Sequence, residues 1–495
     1  MPRTALPETA SPSRPAPFPV TGTNWQAQVL AVIVALTLWR IAALAMMRTE
    51  LWIDESQYWL WGQSLSFGAY SKPPLIGWLI RLSTEIGGDS EFGVRLAAPV
   101  LHGVTAWLIM LLAARLAGAQ VAALAGLSYA TMPAVTLGSM IMTTDTPLLC
   151  AIAAALLFQH RLAAARGTGG GRGDAVALGL AIGLGFLSKH AMLYALAGMA
   201  AAAWVSPDWR IARRDLRLVA LVAFLVILPN LIWIAGHGFV TLRHLAEDGN
   251  AHGVGLHPGS AWEFFSAQFA VMGPLAFAGF LLALRRLSPQ MRGPAAIAVT
   301  ILGIVTLQAL ASRALANWGV GFTVAGCIVA AGWLAARPRL AQVSLGIGLV
   351  IALALPVAAT VGTGWRVHDK LLFDRYLGRA EISRHAMDFA RAQGAGIIAA
   401  HDRGLLADLS WQSRDSGLTI AAAPHVGPAR HHWDLALPLD APPATPVVLL
   451  LQNQPAPACA TGPRESWTAG PGFAEGEAML LVLTTAACLQ EAAHG

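Results

Sequence analysis

Long apolar stretches, separated by short polar or charged segments, run from residue 25 to residue 361. A helix needs about 20 predominantly apolar residues to cross the hydrocarbon core of a bilayer. Eleven stretches of roughly this length predict spanning helices, at 25–47, 92–116, 119–138, 144–161, 175–188, 190–205, 216–235, 262–284, 294–311, 315–335 and 340–361. The pattern therefore predicts a polytopic α-helical membrane domain over residues 25–361.

The pattern changes after Val361, where short apolar runs alternate with Pro, Gly and charged residues. Four of these runs predict β-strands, at 396–400, 418–422, 447–451 and 479–483. An amphipathic helix is predicted between them and the membrane domain, at 381–392. Residues 362–495 are therefore expected to form a small α/β domain. Residues 1–24, rich in Pro and small polar residues, predict a disordered tail.

The distribution of arginines predicts how the chain crosses the membrane. The segment 175–205 fits either one long helix or two short helices that meet at Lys189 and His190. With two helices, all arginine-rich loops fall on one side, which the positive-inside rule makes cytoplasmic. We therefore expect a bacterial inner-membrane protein with a cytoplasmic N-terminus and a periplasmic C-terminal domain. The loops 48–91, 139–143, 236–261 and 312–314 then lie outside.

The composition excludes several classes of protein. Hydrophobic residues make up 56% and charged residues 12% of the chain, which excludes a soluble globular protein. The net charge of +6 is scattered, so no basic face for nucleic acid is expected. Cys459 and Cys488 both fall in the C-terminal domain, but sequence separation does not give the distance between them, so a disulfide stays open.

The first outer loop, 48–91, combines adjacent carboxylates with many aromatic residues. Asp54 and Glu55 precede Tyr58, Trp59 and Trp61, and helical spacing predicts a segment lying along the membrane surface with its aromatics among the headgroups. A carboxylate there can accept the proton of an attacking hydroxyl as a general base. The alternative is that Asp54 only caps a helix whose positive end Glu55 also favours.

Two lysines stand next to apolar sequence on the outer side. Lys72, before two prolines, is either an interfacial anchor or a charge that neutralises a phosphate. Lys189 lies between two apolar segments, where an ammonium is costly and usually faces a partner or a water-filled cavity. Lys189 is therefore the stronger candidate for function.

Other polar residues are expected near the outer face. Asp145, two residues before Pro147, is either a helix cap or a site residue. His244 lies in a loop whose histidines lack the spacing of common metal sites, so substrate contacts are preferred and no metal is predicted. Arg313 and Asn317 can hold a phosphate or a sugar hydroxyl.

The order of these motifs resembles the GT-C superfamily of glycosyltransferases. Within it, the resemblance is to the branch of protein O-mannosyltransferases, lipid A aminoarabinose transferases and rhizobial galacturonosyltransferases. The resemblance covers about residues 25–335. It rests on Asp54-Glu55, Lys72-Pro73-Pro74, Gly93-Val94-Arg95-Leu96, Thr144-Asp145, Leu187-Ser188-Lys189, Asn230 to Trp233 with His237, and Asn317-Trp318.

The resemblance implies an enzyme that moves a sugar from a polyprenyl phosphate to an acceptor outside the membrane, with inversion. The acceptor is lipopolysaccharide, another glycolipid, a glycan or a protein, and the use of a divalent metal stays open. The implied catalytic residues are Asp54 and Glu55. The residues implied or expected to bind the donor phosphate or substrate are Lys72, Arg95, Asp145, Lys189, Arg313, Asn317 and His244.

Two other functions compete with this interpretation. A transporter or lipid flippase would use Lys189 and Asp145 within the membrane, but it predicts polar residues through the depth of several helices. The polar residues here cluster at one face instead. An assembly or sensor protein acting through its outer domain would leave the first outer loop without chemistry.

Overall fold

The computed structural model describes residues 24–166, 171–249, 253 and 255–494. The predicted tail, residues 1–24, lies outside this part of the chain except for Asn24. The helices up to residue 361 are α1 (Trp25–Met46), α2 (Ile53–Ser64), α3 (Leu75–Gly87), α4 (Glu91–Arg95), α5 (Ala97–Ala130), α6 (Pro133–Gly138), α7 (Asp145–Ala164), α8 (Arg172–Ser188), α9 (Met192–Val205), α10 (Arg213–Gly236), α11 (Val240–Gly249), α12 (Pro258–Met272), α13 (Pro274–Ala283), α14 (Arg292–Ala311), α15 (Phe322–Leu334) and α16 (Pro338–Val361).

The eleven predicted apolar stretches overlap these helices, but 119–138 is split between α5 and α6, 262–284 is split between α12 and α13, and 315–335 begins before α15. Within the described ranges, six helical stretches are long and apolar enough to cross a membrane, and the pair α12 and α13, bent by 112°, makes up to seven. The helices α9 and α15 are apolar but shorter. A continuous helix from 91 to 130 would be too long for one crossing. It breaks at Ala117 and Gly118, and a Cβ added at Gly126 would lie 3.0 Å from the Met110 side chain, so the two halves pack closely as a hairpin.

Two short helices, not one long one, occupy 175–205. Lys189 has extended backbone angles, with φ −161° and ψ 137°, between α8 and α9. Glycines on α8 allow close packing against α10, because a Cβ at Gly179 or Gly183 would collide with Val222 or Val226. The break places the lysine at the end of two packed helices, without burying it in mid-span.

The C-terminal part contains a mixed five-stranded sheet with helices on both faces. Its strands are β3 (Ile397–Ala400), β4 (Thr419–Ala422), β5 (Pro446–Gln452), β6 (Arg464–Thr468) and β7 (Ala478–Thr485), after a small hairpin of β1 (Arg366–Val367) and β2 (Lys370–Leu371). The order is β4-β3-β5-β7-β6, with parallel pairing among β4, β3 and β5 and antiparallel pairing around β7. The helices are α17 (Arg379–Ala392), α18 (Arg403–Gln412), α19 (His432–Ala436) and α20 (Ala486–His494).

Side chains alternate between the two faces of this sheet, as the pleat requires. Val448 and Leu450 belong to the apolar cluster that includes α17 and α18, whereas Val447 and Leu449 belong to the cluster that includes α20. The four predicted strands and the predicted helix are therefore confirmed. Cys459 and Cys488 form a disulfide, with their α-carbons 5.6 Å apart.

The first outer loop lies between the membrane helices and the C-terminal domain. The backbone N–H groups of Arg379 and Ala380, at the start of α17, donate to the Glu50 carboxylate at 2.7 and 3.1 Å. Trp59 packs edge-on against Trp411 of α18, with ring centroids 5.0 Å apart. The loop therefore forms part of the interface between the two parts of the chain.

The expectation that the loop aromatics lie among lipid headgroups is wrong. Tyr58, Trp59 and Trp61 are 4–6% exposed and belong to an apolar cluster with Trp411. Burial of aromatic side chains against another protein segment removes more of their surface from water than an interfacial position does. These residues fix the loop against the C-terminal domain.

Candidate active site

Asp54 is the second residue of α2 and points to a half-exposed position between the two parts of the chain. Its Oδ1 accepts a hydrogen bond from the Arg403 guanidinium, which also donates from Nε to Gln57 Oε1 at 2.8 Å. The Asp54 side chain is 42% exposed, and its Oδ2 has no hydrogen-bond partner in the described chain. Asp54 does not cap α2, since the cap residue is Trp52. One of its oxygens is therefore open to a substrate.

Glu55, the adjacent carboxylate, is in the opposite situation. It is 2% exposed and accepts two hydrogen bonds from Arg95, both at 2.8 Å. It also accepts the backbone N–H groups of Trp52 and Met142, each at 3.0 Å. The remaining N–H groups of Arg95 donate to Thr49 and Glu50.

This pairing changes the interpretation of two predicted site residues. The sequence predicts Glu55 as catalytic and Arg95 as a phosphate ligand, whereas their mutual pairing and burial leave neither open to a substrate. Together they join the chain before α2, the end of α4 and the segment before α7. We therefore assign them a structural role in holding the first outer loop.

Lys189, Asp145 and Asn317 come together from three separate segments. The Lys189 ammonium donates to Asp145 Oδ1 at 2.7 Å, and the Asn317 amide donates to Asp145 Oδ2 at 2.8 Å. The side chains of Lys189 and Asp145 are 17% and 14% exposed. Asp145 begins α7, Lys189 lies at the break between α8 and α9, and Asn317 lies in a turn before α15. Asp145 therefore holds the lysine in place at one end of these helices.

Lys72 has no hydrogen bond or ion pair with any described residue. Burial, followed by the nearby Lys189 ammonium, lowers its pKa, while the carboxylates of Asp54, Asp248 and Asp145 act in the opposite direction. Lys72 therefore lies within electrostatic range of these four charged groups. A half-buried ammonium without a fixed partner is suited to bind a mobile anion.

Arg313 and His244 are the remaining predicted site residues. Arg313, after α14, forms an ion pair with Asp248 at the end of α11. His244, also on α11, lies against the Tyr70 ring, with centroids 5.1 Å apart. Burial, followed by the Lys72 charge, lowers the pKa of His244, so the imidazole is neutral at neutral pH.

A cavity of about 250 Å³ opens beside this cluster. Its walls come from the first outer loop, the end of α10 and α19, and they include Trp61, Tyr70, Trp233, His237, His432 and Leu435. Asn230 and Thr241 hold the loop that forms one wall, because they donate to the carbonyl oxygens of Phe67 and Ala69 at 2.7 and 2.8 Å.

Most of the predicted site residues thus come together in one charged cluster, which we call the outer chamber, because Lys72 lies within electrostatic range of Asp54, Asp145, Lys189 and Asp248, and His244 within range of Lys72, Asp248 and Arg403. It is formed by Asp54, Lys72, Asp145, Lys189, His244, Asp248, Arg313, Asn317 and Arg403. Sequence analysis did not find Asp248 or Arg403. Neither belongs to a motif, and each is identified only through its contact with Arg313 or Asp54.

Known proteins are similar to this chain over different lengths. Residues 71–233, which include Lys72, Asp145 and Lys189, match the dolichyl-phosphate-mannose-protein mannosyltransferase family. The chain is 35% identical over 476 residues to lipid A galacturonosyltransferase RgtD of Rhizobium johnstonii, covering 93% of this chain and 98% of that protein. It is 31% identical over 209 residues to the undecaprenyl phosphate-alpha-4-amino-4-deoxy-L-arabinose arabinosyl transferase of Edwardsiella ictaluri, covering 39% and 37% of the two chains.

A solved structure has the same fold. The crystal structure of ArnT from Cupriavidus metallidurans bound to undecaprenyl phosphate superposes with a TM-score of 0.66 at 16% sequence identity, covering 94% of this chain and 99% of that one. At this identity the likeness concerns the fold, and it extends over both the helical part and the C-terminal sheet.

Proposed function

The chain belongs to the GT-C superfamily of glycosyltransferases, and we propose that it transfers a sugar from a polyprenyl phosphate to lipid A in the outer chamber. Its similarity to the Rhizobium protein extends over nearly the whole of both chains. That similarity supports lipid A as the acceptor and a galacturonosyl group as the sugar. A transporter or flippase is not favoured, since the relatives named above are transferases.

The protein is a multi-pass membrane protein, and the inner membrane is its proposed location. We place the N-terminus in the cytoplasm and the C-terminal domain, residues 362–495, in the periplasm, with residues 25–361 as the membrane domain. The 17 residues of α8 span roughly 25 Å and separate Arg172 from the outer chamber. The arginine-rich loops and the chamber thus lie toward opposite ends of the helices.

In the proposed reaction, a lipid A hydroxyl oxygen attacks the anomeric carbon of the donor sugar. The bond from that carbon to the phosphate oxygen breaks, and the polyprenyl phosphate leaves with the electron pair. Asp54 Oδ2 accepts the hydroxyl proton as the general base. Attack opposite the leaving phosphate inverts the configuration at the anomeric carbon.

Lys72 and Lys189 are proposed to bind the donor phosphate. A phosphate is already a usable leaving group, so the enzyme mainly has to position the reactants and stabilise the developing negative charge. Asp145 and Asn317 hold Lys189 toward the chamber, whereas Lys72 is free to contact the phosphate directly. We further propose that Arg313 and His244 contact the substrate and that the acceptor binds in the neighbouring cavity.

The observation that carries this proposal is that the Lys72 ammonium, which has no partner among the described residues, lies within electrostatic range of Asp54, whose Oδ2 is open. The chamber therefore combines a cation that has no partner among the described residues and a carboxylate that can accept a proton. These are the two groups that transfer from a lipid phosphate requires.

The direct test uses the purified full-length protein in detergent with polyprenyl-phosphate-linked galacturonic acid and lipid A. Mass spectrometry is expected to show lipid A carrying one added hexuronic acid and an equal amount of free polyprenyl phosphate. A control reaction lacking the donor should leave lipid A unchanged. If no polyprenyl-phosphate-linked sugar is transferred to lipid A, the proposed function is wrong.

A further inference from the structure

Arg403 has hydrogen-bonding capacity that its contacts do not use. It begins α18 and donates one N–H to Asp54 and one to Gln57. A guanidinium carries five N–H donors. The other three have no partner among the described residues, and the side chain is 40% exposed. Arg403 therefore presents an open, positively charged edge directly beside the proposed base.

The open edge suits a planar anion. Guanidinium groups bind carboxylates and phosphates with two parallel hydrogen bonds, which a lysine ammonium cannot do. The donor phosphate already has Lys72 and Lys189 as proposed ligands. Arg403, which lies next to the proposed base, is then available for a second anionic group on the donor, at the sugar itself.

The reaction also changes the charge of the carboxylate that is paired with Arg403. In the resting protein its positive charge is balanced by Asp54. When Asp54 accepts the hydroxyl proton, it becomes neutral, and Arg403 loses its anionic partner. A carboxylate on the sugar would then interact more strongly with Arg403 in the transition state than in the ground state, which is the kind of interaction that increases the rate.

We propose that Arg403 binds the carboxylate of a uronic acid carried by the donor and so selects acidic over neutral donor sugars. This inference rests on the proposed function, because it assigns a specificity-determining residue to the same reaction. It makes the C-terminal domain part of the donor site through a residue that lies outside the motif-bearing region.

The test compares two donors that differ only at the carboxylate, polyprenyl-phosphate-linked galacturonic acid and polyprenyl-phosphate-linked galactose. The wild-type protein should prefer the first in kcat/KM by about 10- to 100-fold, the effect expected of hydrogen bonds to a charged group. Arg403→Gln should bring the ratio between the two donors close to one. Arg403→Lys keeps the charge and should retain part of the preference.

Arg366→Gln is the matched control. Arg366 pairs with Glu475 in the C-terminal domain, and its side chain, 42% exposed, matches Arg403 in exposure but contacts no residue of the outer chamber. This variant should keep the wild-type ratio. If Arg403→Gln slows both donors by the same factor, Arg403 only positions Asp54 and the inference is wrong.

The outcomes separate this inference from the proposed function. Transfer from both donors without a wild-type preference would overturn the role of Arg403 and leave the glycosyltransferase reaction in place. Transfer from neither donor would overturn both. If Arg403→Gln does not fold, the Arg403→Lys variant is the test. A lysine ammonium cannot form the two parallel hydrogen bonds of a guanidinium, so an undiminished preference for the galacturonic acid donor in this variant would contradict the inference.

Discussion

Asp54 and Glu55 are neighbours in the chain, yet their carboxylates have opposite surroundings. Glu55 is 2% exposed and paired with Arg95, whereas Asp54 is 42% exposed and has a free oxygen beside Arg403. Two adjacent residues on a helix point about 100° apart, so one can face the loop interior while the other faces the chamber. The two carboxylates therefore have separable roles.

Asp54→Asn should abolish transfer without disturbing the fold. The amide keeps the shape of the side chain but cannot accept a proton, and general-base catalysis contributes about 10²- to 10⁴-fold in rate. The measurement is kcat with the melting temperature in detergent. Glu85→Gln, at an exposed ion pair with Arg81 on α3, is the control and should retain full activity. Normal activity in Asp54→Asn would remove this residue from the mechanism.

Glu55→Ala should instead destabilise the protein. Removing one partner of a buried ion pair leaves the other charge uncompensated and costs about 3–5 kcal/mol. The expected result is a clearly lower melting temperature and reduced yield of folded protein, with Asp54→Ala as the half-exposed comparison. A melting temperature equal to that of the wild type would show that Glu55 is not part of the scaffold.

We expect donor binding to weaken at alkaline pH because Lys72 loses its proton. Its pKa is lowered by burial and by Lys189. As the pH rises through this lowered pKa, the ammonium loses its proton and its attraction for the phosphate. The value of kcat/KM for the donor should therefore fall at a pH below the ordinary lysine range.

Lys72→Arg separates this effect from other titrations. Arginine stays protonated, so the alkaline fall should move to higher pH in the variant. Lys72→Met should raise the donor KM about 10- to 100-fold at neutral pH, since a hydrogen bond to a charged group is lost. A variant profile that falls at the wild-type pH would assign the titration to another group.

Lys189 and Asp145 should act as one unit. Lys189→Met and Asp145→Asn are each expected to lower kcat/KM for the donor about 10-fold or more, because each removes the ordered ammonium from the phosphate. The double variant should be little worse than either single one, since both changes remove the same interaction. Strictly multiplicative effects in this double-mutant cycle would show that Asp145 has a separate role.

We expect the stability of the C-terminal domain to depend on pH because of Asp408 in α18. Burial raises its pKa to about 7, while the unfolded chain has the ordinary value of about 3.9. Between these values the folded state holds the proton and the unfolded state releases it, so this contribution to stability is lost as the pH rises from about 4 to 7.

Asp408→Asn tests this directly, because the amide keeps an acceptor for the Ser383 hydroxyl without carrying a charge. The melting temperature of the variant should match the wild type near pH 3.5, below the unfolded pKa, and exceed it by several degrees near pH 8. A difference that does not change with pH would contradict the assignment.

The fold follows from sequence to the extent that local patterns determine it. Hydrophobic length predicts the helices, and the distribution of arginine-rich loops predicts two helices that meet at Lys189, as the structure has them. The superfamily, the membrane fold and the transferase class are likewise confirmed. The burial of Trp59 was not predicted, because interfacial and buried aromatics have the same local pattern.

The candidate site, too, was predicted only in part. Asp145, Lys189 and Asn317 were expected at one face because each lies at the outer end of a predicted helix. Arg403 was not, since it contacts Asp54 across 349 positions of sequence and lies in an ordinary helix start. The sequence of the adjacent acidic pair did not show that Glu55 would form an ion pair with Arg95, because a local pattern does not show which partner a side chain contacts.

Transfer of a sugar to lipid A with Asp54 as the base is tested by mass spectrometry of lipid A from cells that lack the gene, complemented with the intact protein or with Asp54→Asn. Lipid A should lose one sugar in the deletion strain, and only the intact protein should restore it. Equal restoration by Asp54→Asn, or a lipid A unchanged by the deletion, would contradict this proposal.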